Sequence, residues 1–383
     1  MIYFPGRTYT NFFGGAEVLI INIVTELRRL GIQVGLIGNI ENDAVKILNE
    51  KNIDFKFIDS SQEIIILEKE DVLIIFNYTS DLLKIRGNPK VFLWCILSLS
   101  LTNHNKTKLN YRLNELLKFV TKRLYWSMYH KGSLSFMDKS TYTDVTSYFK
   151  LNVQPKYLPI PVESYKYISD SKYIQNKEIT ITYLGRGNEI WKIYPLLKIL
   201  EDIHKNSQLE KITLYIITDT DILFKKLIAK PKNVIVNYIF GLKEKTLHKF
   251  LCENSQLHFA MGTSALEGSI CRIPTVLMDA SFQLFPFNYK YKWVFETESY
   301  SLGCFIERTP PIGYYSMEEI INTIATDTGY DEIASKCYHY TKTNHTISRA
   351  VDILVHIKPN FAIKSYLFYC KEYWISLIHK IIN

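Results

Sequence analysis

Short runs of apolar, largely β-branched residues alternate with stretches whose apolar positions recur every three or four residues, and this alternation passes along the sequence twice. Period two or unbroken apolarity marks a strand buried in a sheet; spacings of three and four mark a helix with one apolar face. Strands separated by helices pair in parallel and are covered on both faces, because a right-handed crossover lays each helix back on the sheet. The first pass includes IYF, a helix from Ala16, VGLIG, AVKILNEKN, DFKFID, DVLIIFNY, KVFLWC, SLSFMD and STYTDVTSYFK. The second includes EITITYLG, IYPLLKILEDIHKN, KITLYIITD, DILFKKLIAK, NVIVNYIFG, KEKTLHKFLCENS, SQLHFAMG, SALEGSIC and IPTVLMD.

A chain of 383 residues exceeds the size at which one core stops growing, so two α/β domains are expected. The boundaries read as residues 1–163 and 176–360, joined by the polar, tyrosine-rich ESYKYISDSKYIQNKE, with a helix over 361–383 packing back toward the first domain. Apolar residues at 47% and charged ones at 22% describe a globular chain rather than a disordered one. No window approaches a membrane span and no basic, apolar leader opens the chain, so it is expected to stay in the cytoplasm. The six cysteines show no metal-like spacing and read as reduced, mostly buried thiols.

The net charge of +8 suits phosphorylated small molecules, anionic lipid or nucleic acid. No nucleic-acid-binding module is present, and the basic excess is local. Between His104 and Ser133 seven Lys or Arg face one acid, Glu115, among interleaved apolar residues. Lys118, Lys122, Arg123 and Trp126 there describe a basic amphipathic helix suited to an anionic membrane, or equally a domain helix with a solvated basic face.

Ligands of doubly wound sheets bind beyond the carboxyl ends of the strands, so loops that follow strands carry the candidates. In FFGGAE, Gly14 and Gly15 let the backbone approach a bound group at a helix start, or permit a tight turn. In LGRGNEIWK, Gly185 opens a turn, and Arg186 and Lys192 form a pair able to neutralise a diphosphate as negative charge builds on it. In MGTSALEGSICRIPTV, Gly262, Thr263 and Ser264 offer donors at a helix start, and Glu267, expected in the first turn, can accept both hydroxyls of a ribose. Taken singly, these residues also read as helix-start charges and caps. Asp219-Thr220-Asp221 reads as a helix cap rather than a metal motif, and Asp327-Thr328-Gly329 has no partner carboxylate.

FGGAE with LRRLG, YLGRGNEIWK, the glycine of YIFGLKEKTLHKFL, and SALEGSICRIPTVLMD together resemble the glycosyltransferases of GT-B fold, family-4 type, over essentially the whole chain. The resemblance implies two facing Rossmann-like domains with a cleft between them. It places Gly14 and Gly15 beside the donor phosphate and sugar, Arg186 and Lys192 on the diphosphate, and Glu267 on the ribose. It also implies transfer from a nucleotide-sugar to a glycan hydroxyl with retained configuration and no metal cofactor. The acceptor expected on that resemblance is a lipid-linked surface polysaccharide of O-antigen or capsule type, carried on polyprenyl diphosphate at the inner face of the membrane. His104 is the nearest candidate for the cleft histidine of such enzymes, with a surface-loop histidine as its other reading. The family's E-x7-E pattern is broken, because Phe259 stands where the first acid would be. A sugar-nucleotide epimerase or hydrolase of related fold, and an inactive nucleotide-binding partner subunit, are the alternatives.

Overall fold

In the computed structural model of the chain, the buried apolar side chains of the described residues gather into three clusters. The structure describes residues 1–5, 15–39, 41–76, 84–96, 111–163, 167–170, 173–174, 177–205, 209–227 and 233–365, with 111–117, 223, 226 and 227 described as backbone. Two compact units result, one of Met1–Pro161 with the residues from Ile347 onward, the other of Val162–Thr346.

The first unit holds a parallel sheet of β1 (Ile2–Pro5), β2 (Val34–Gly38), β3 (Lys56–Asp59), β5 (Val72–Ile75), β7 (Lys90–Cys95) and β8 (Leu134–Phe136), in the order β3-β2-β1-β5-β7-β8. Strands β4 (Ile65–Leu67) and β6 (Ile85–Gly87) form a small separate pair that the sequence reading did not contain. Tyr3, Ile37, Leu73, Ile75, Val91, Leu93 and Cys95 point into one cluster, shared with Leu124, Tyr125 and Met128 of α3 (Tyr111–His130) and Val145 and Phe149 of α4 (Lys139–Phe149). Their neighbours Phe4, Leu36, Ile74, Phe92 and Trp94 point into another, shared with α1 (Gly15–Arg29) and α2 (Asp43–Glu50). Burial on both faces is why these strands read as unbroken apolar runs.

Helix α1 buries Leu19, Ile20, Ile23, Val24 and Leu27 as its spacing requires, while Leu30 is exposed. Gly31, at φ +76, ends it, and the N–H of Ile32 reaches back to the carbonyl of Leu27 at 3.0 Å. The return of the chain begins earlier than position 361. Helix α11 (Ile347–His356) already lies on α1, burying Ala350, Val351 and Leu354 in the first unit's core, where a leucine contributes about 2 kcal/mol. The following segment is tied to β7 through the Val91 N–H and the Phe361 carbonyl (2.7 Å).

The second unit repeats the plan: β9 (Glu178–Leu184), α5 (Ile190–His204), β10 (Lys211–Thr218), α6 (Ile222–Leu227), β11 (Val234–Phe240), α7 (Glu244–Asn254), β12 (Leu257–Ala260), α8 (Thr263–Ile270) and β13 (Thr275–Leu277). A short antiparallel strand β14 (Lys292–Trp293), absent from the sequence reading, closes the edge, and α9 (Met317–Thr323) and α10 (Asp327–Asn344) complete the unit. The order β11-β10-β9-β12-β13-β14 matches that of the first sheet. In both, the winding reverses beside the first strand, which is where such sheets open a crevice for ligands. Part of the expected interdomain linker is bound to this unit: Ser169 is buried and its N–H donates to the Cys271 carbonyl at 2.8 Å.

Candidate functional site

In the second unit the reversal falls between β9 and β12, which pair in parallel with Leu184 opposite Ala260. The two chains therefore leave the sheet side by side, about 5 Å apart, as Gly185 and Met261. Three of the sequence candidates lie on the first of these exits and four follow the second.

After β9 the loop is pinned before it turns into α5. The N–H of Gly185 stays on the ladder with Ile217 (3.1 Å), and that of Gly187 donates to Asp219 Oδ1 at 2.8 Å. A Cβ on Gly187 would stand 1.8 Å from the Thr220 carbonyl oxygen, so only glycine allows this approach. Within the triplet read as a helix cap, Asp219 braces the neighbouring loop, while Thr220 Oγ1 accepts from the Ile222 N–H that opens α6, at 3.5 Å. Pro195 cannot donate to the carbonyl of Trp191, and the N–H of Ser281 takes that place at 3.3 Å. Tyr183 donates its hydroxyl to the Lys192 carbonyl at 2.5 Å, fixing the backbone that carries the lysine.

Arg186 and Lys192 both reach Glu189, which stands between them. Its carboxylate accepts from Arg186 Nη1 at 3.3 Å and pairs with Lys192 Nζ at 2.9 Å. Lys192 also lies over the Trp191 ring, 4.7 Å from its centroid. Burial pushes the Lys192 amine below the usual lysine range, and the charge of Glu189 pulls it partly back.

The exit from β12 carries no charge. Gly262 takes φ 62 and ψ −146, a conformation only glycine adopts readily, although a Cβ there would meet nothing within 4 Å. Its N–H donates to the Leu302 carbonyl at 2.7 Å, so Gly262 is a turn residue and not the ligand donor expected of it. Among the described residues, the N–H groups of Thr263 and Ser264, which open α8, have no protein acceptor. Glu267 lies in the second turn of α8 rather than the first, and its carboxylate is hydrogen-bonded by the buried His248 of α7.

Beneath α8 runs a buried relay. Ser255 and Thr182 share a hydrogen bond of 2.7 Å, Thr182 Oγ1 lies 2.8 Å from His258 Nδ1, and His258 Nε2 lies 3.0 Å from the Ser264 carbonyl oxygen. With the proton on Nε2, His258 donates to Ser264 and accepts from Thr182, and full burial pushes its pKa down to about 4. Gly268 admits the ring, since a Cβ there would stand 2.3 Å from it. Phe259 is fully buried against Tyr291, and β12 runs into α8 through Met261 and Gly262 alone.

Gly15 opens α1 and is exposed; Gly14 and His104 lie outside the described residues. In α3, Leu124, Tyr125 and Met128 are buried while Phe119 and Trp126 are about half exposed. Arg123 covers the Phe119 ring and Lys118 the Tyr148 ring. Lys122 is half-buried. Glu189, His248 and His258 were missed by the sequence reading, and Asp219 was given another role there. Only Glu189 had a visible signal, three residues from each cation.

Cys95, Cys252, Cys271, Cys304 and Cys337 are free thiols. Among the described residues no group of three His, Cys, Asp or Glu is placed to hold a metal ion, and no helix is long and apolar enough to cross a membrane.

No protein-family model matches the chain, and no curated protein matches it in sequence. Solved structures do match it in fold. A glycosyltransferase from Rickettsia africae ESF-5 superposes with a TM-score of 0.56 at 11% identity, covering 93% of this chain and 97% of that one. Anabaena Alr3699/HepE in complex with UDP superposes with a TM-score of 0.55 at 14% identity, covering 92% and 98%. The same Anabaena protein with UDP and glucose gives 0.54 at 13%, again over 92% and 98%.

Proposed function

We propose that this chain, which has the GT-B glycosyltransferase fold with two Rossmann-like units of the same strand order, is a glycosyltransferase that moves a sugar from a nucleotide-sugar to a hydroxyl of a glycan acceptor, lipid-linked and of the surface-polysaccharide kind. The observation that carries this reading is the meeting of Arg186 and Lys192 at the end of β9, on the strand paired with the one that leads to the free N–H groups of α8.

A nucleoside diphosphate matches that arrangement. The cation pair holds the diphosphate and stabilises the charge that grows on it as the sugar departs. The N–H groups of Thr263 and Ser264 add donors at a helix start, where the dipole favours an anion. Glu267, oriented by His248, accepts the ribose hydroxyls. The Anabaena protein crystallised with UDP and glucose makes UDP-glucose the first donor to try. With two side-chain cations in place the reaction needs no metal ion, so it should proceed in EDTA. His104 is kept as the candidate base for the acceptor hydroxyl, and Gly14 and Gly15 as the donor contact of the first unit.

The exposed Phe119 and Trp126 beside Lys118, Lys122 and Arg123 favour a peripheral seat for α3 on the cytoplasmic face of an anionic membrane. Replacing those three cations with Gln should then reduce cosedimentation with anionic vesicles while leaving the melting temperature unchanged.

The test is a reaction with a panel of nucleotide-sugars, with and without lipid-linked glycans extracted from bacterial membranes, followed by release of nucleoside diphosphate and by NMR of the product. Acceptor-dependent release with a new glycosidic bond supports the transferase, and the product's anomeric configuration settles retention or inversion. Release without acceptor would identify a hydrolase, a changed sugar an epimerase, and binding without turnover an inactive partner.

A further inference from the structure

Glu189 is the N-terminal cap residue of α5, yet its side chain caps nothing. A carboxylate in that position ordinarily accepts from the N–H groups of the first turn. Here it turns to Arg186 Nη1 (3.3 Å) and Lys192 Nζ (2.9 Å). The two cations and the positive end of α5 converge on one carboxylate.

We propose that Glu189 is a resident stand-in for the ligand's anion: it occupies the Arg186–Lys192 site until a diphosphate displaces it, and by this competition it sets which anions the site accepts. This rests on reading that site as the diphosphate site.

The burial of Lys192 is the physical reason for such a residue. Its side chain is 15% exposed, and a buried ammonium without a counter-charge sheds its proton or moves toward water. Arg186, by contrast, is 41% exposed and has no need of a partner. The remaining acid nearby, Asp219, is committed to the Gly187 N–H and to the Thr218 hydroxyl. Glu189 therefore keeps Lys192 charged and both cations gathered while no ligand is bound, which preorganises the site.

The same carboxylate must leave, or suffer repulsion, when a ligand arrives. Its backbone is extended, at φ −107 and ψ 104, and the side chain is 24% exposed, so rotation about its own bonds carries the carboxylate to water without moving α5. A single phosphate replaces one carboxylate with little gain in charge, whereas a diphosphate brings more charge and oxygens enough for both cations. Glu189 thus sets a threshold of affinity, which a diphosphate passes through its greater charge and its contacts to both cations.

The experiment uses the full chain and two probes, inorganic pyrophosphate and inorganic phosphate, titrated calorimetrically into the wild type, Glu189→Gln and Glu189→Asp. Glu189→Gln keeps size and shape and removes the competing charge, so pyrophosphate should bind about tenfold tighter, and phosphate by a similar factor. Glu189→Asp, too short to span both cations, should fall between the two. Unchanged or weaker pyrophosphate binding in Glu189→Gln, with a native melting temperature, would overturn the proposal, and so would the absence of binding in all three proteins. Because neither probe carries a nucleoside, the outcome is separate from the transferase reading. Tighter pyrophosphate binding in Glu189→Gln together with no response to any nucleotide would leave this inference standing and remove that one.

Discussion

The loop after β9 carries positive charge on two side chains and balances it with Glu189, whereas the loop after β12 carries no charge and offers backbone N–H groups instead. A side-chain cation that is partly buried needs a counter-ion before any ligand comes, so the first loop is an ion-paired cluster. Backbone donors need no counter-ion, but they work only where the chain is held in one conformation. The second loop is accordingly built on a glycine with φ 62 and on a neutral buried histidine. Two kinds of donor cluster therefore lie on adjacent strands, one sensitive to charge and the other to geometry.

Acid should break the second before the first. An unfolded histidine takes up a proton near pH 6.5, and His258 in the folded chain refuses it until about pH 4. Stability is therefore whole above pH 6.5 and falls as the pH drops toward 4, by about 3 kcal/mol from this group alone. Urea titrations of the wild type and His258→Leu over that range check it. The variant is less stable at neutral pH, having lost the contacts to Thr182 and Ser264, but its stability should fall less steeply with acid. Equal slopes would mean that the relay does not hold α8.

Backbone geometry comes next. Gly262→Ala introduces no clash, so its cost is that of the conformation, about 2 kcal/mol in stability, and it should weaken ligand binding at α8. Gly187→Ala fails for the opposite reason, a collision with Thr220, and should displace the charged loop. Thermal melts with crystal structures of both variants distinguish strain in place from a moved loop.

Glu267→Gln should have the smallest effect. It keeps the shape of the side chain but weakens the bond from His248 and the acceptor strength toward a ribose, for a loss of about tenfold in nucleotide affinity. Pyrophosphate affinity should not change, which sharpens the division between the two loops. Calorimetry with both ligands measures it.

The architecture was largely visible in the sequence because parallel strands buried on both faces leave unbroken apolar runs such as VGLIG and KVFLWC. The positions of Arg186, Lys192, Gly262 and Glu267 were visible for the same reason, as each follows directly from where a strand ends. Interactions that join distant positions were not. The relay unites residues 182, 255, 258 and 264, and His248 lies 19 positions before Glu267, spacings that carry no periodic signal. The edge pairs β4 with β6 and β13 with β14 are too short for any period to show. The chain's return at Ile347 depends on which unit offers α11 an apolar surface, and local composition does not contain that.

Calorimetric titration with UDP, GDP, ADP, CDP and dTDP of the wild type and of Arg186→Ala/Lys192→Ala tests whether the loops after β9 and β12 hold a nucleoside diphosphate. The wild type should bind one of the five with clear preference, and the double variant, still folded, should lose that binding by about a hundredfold or more. Wild-type protein that binds none of them, or a double variant that binds as well as the wild type, would contradict that reading.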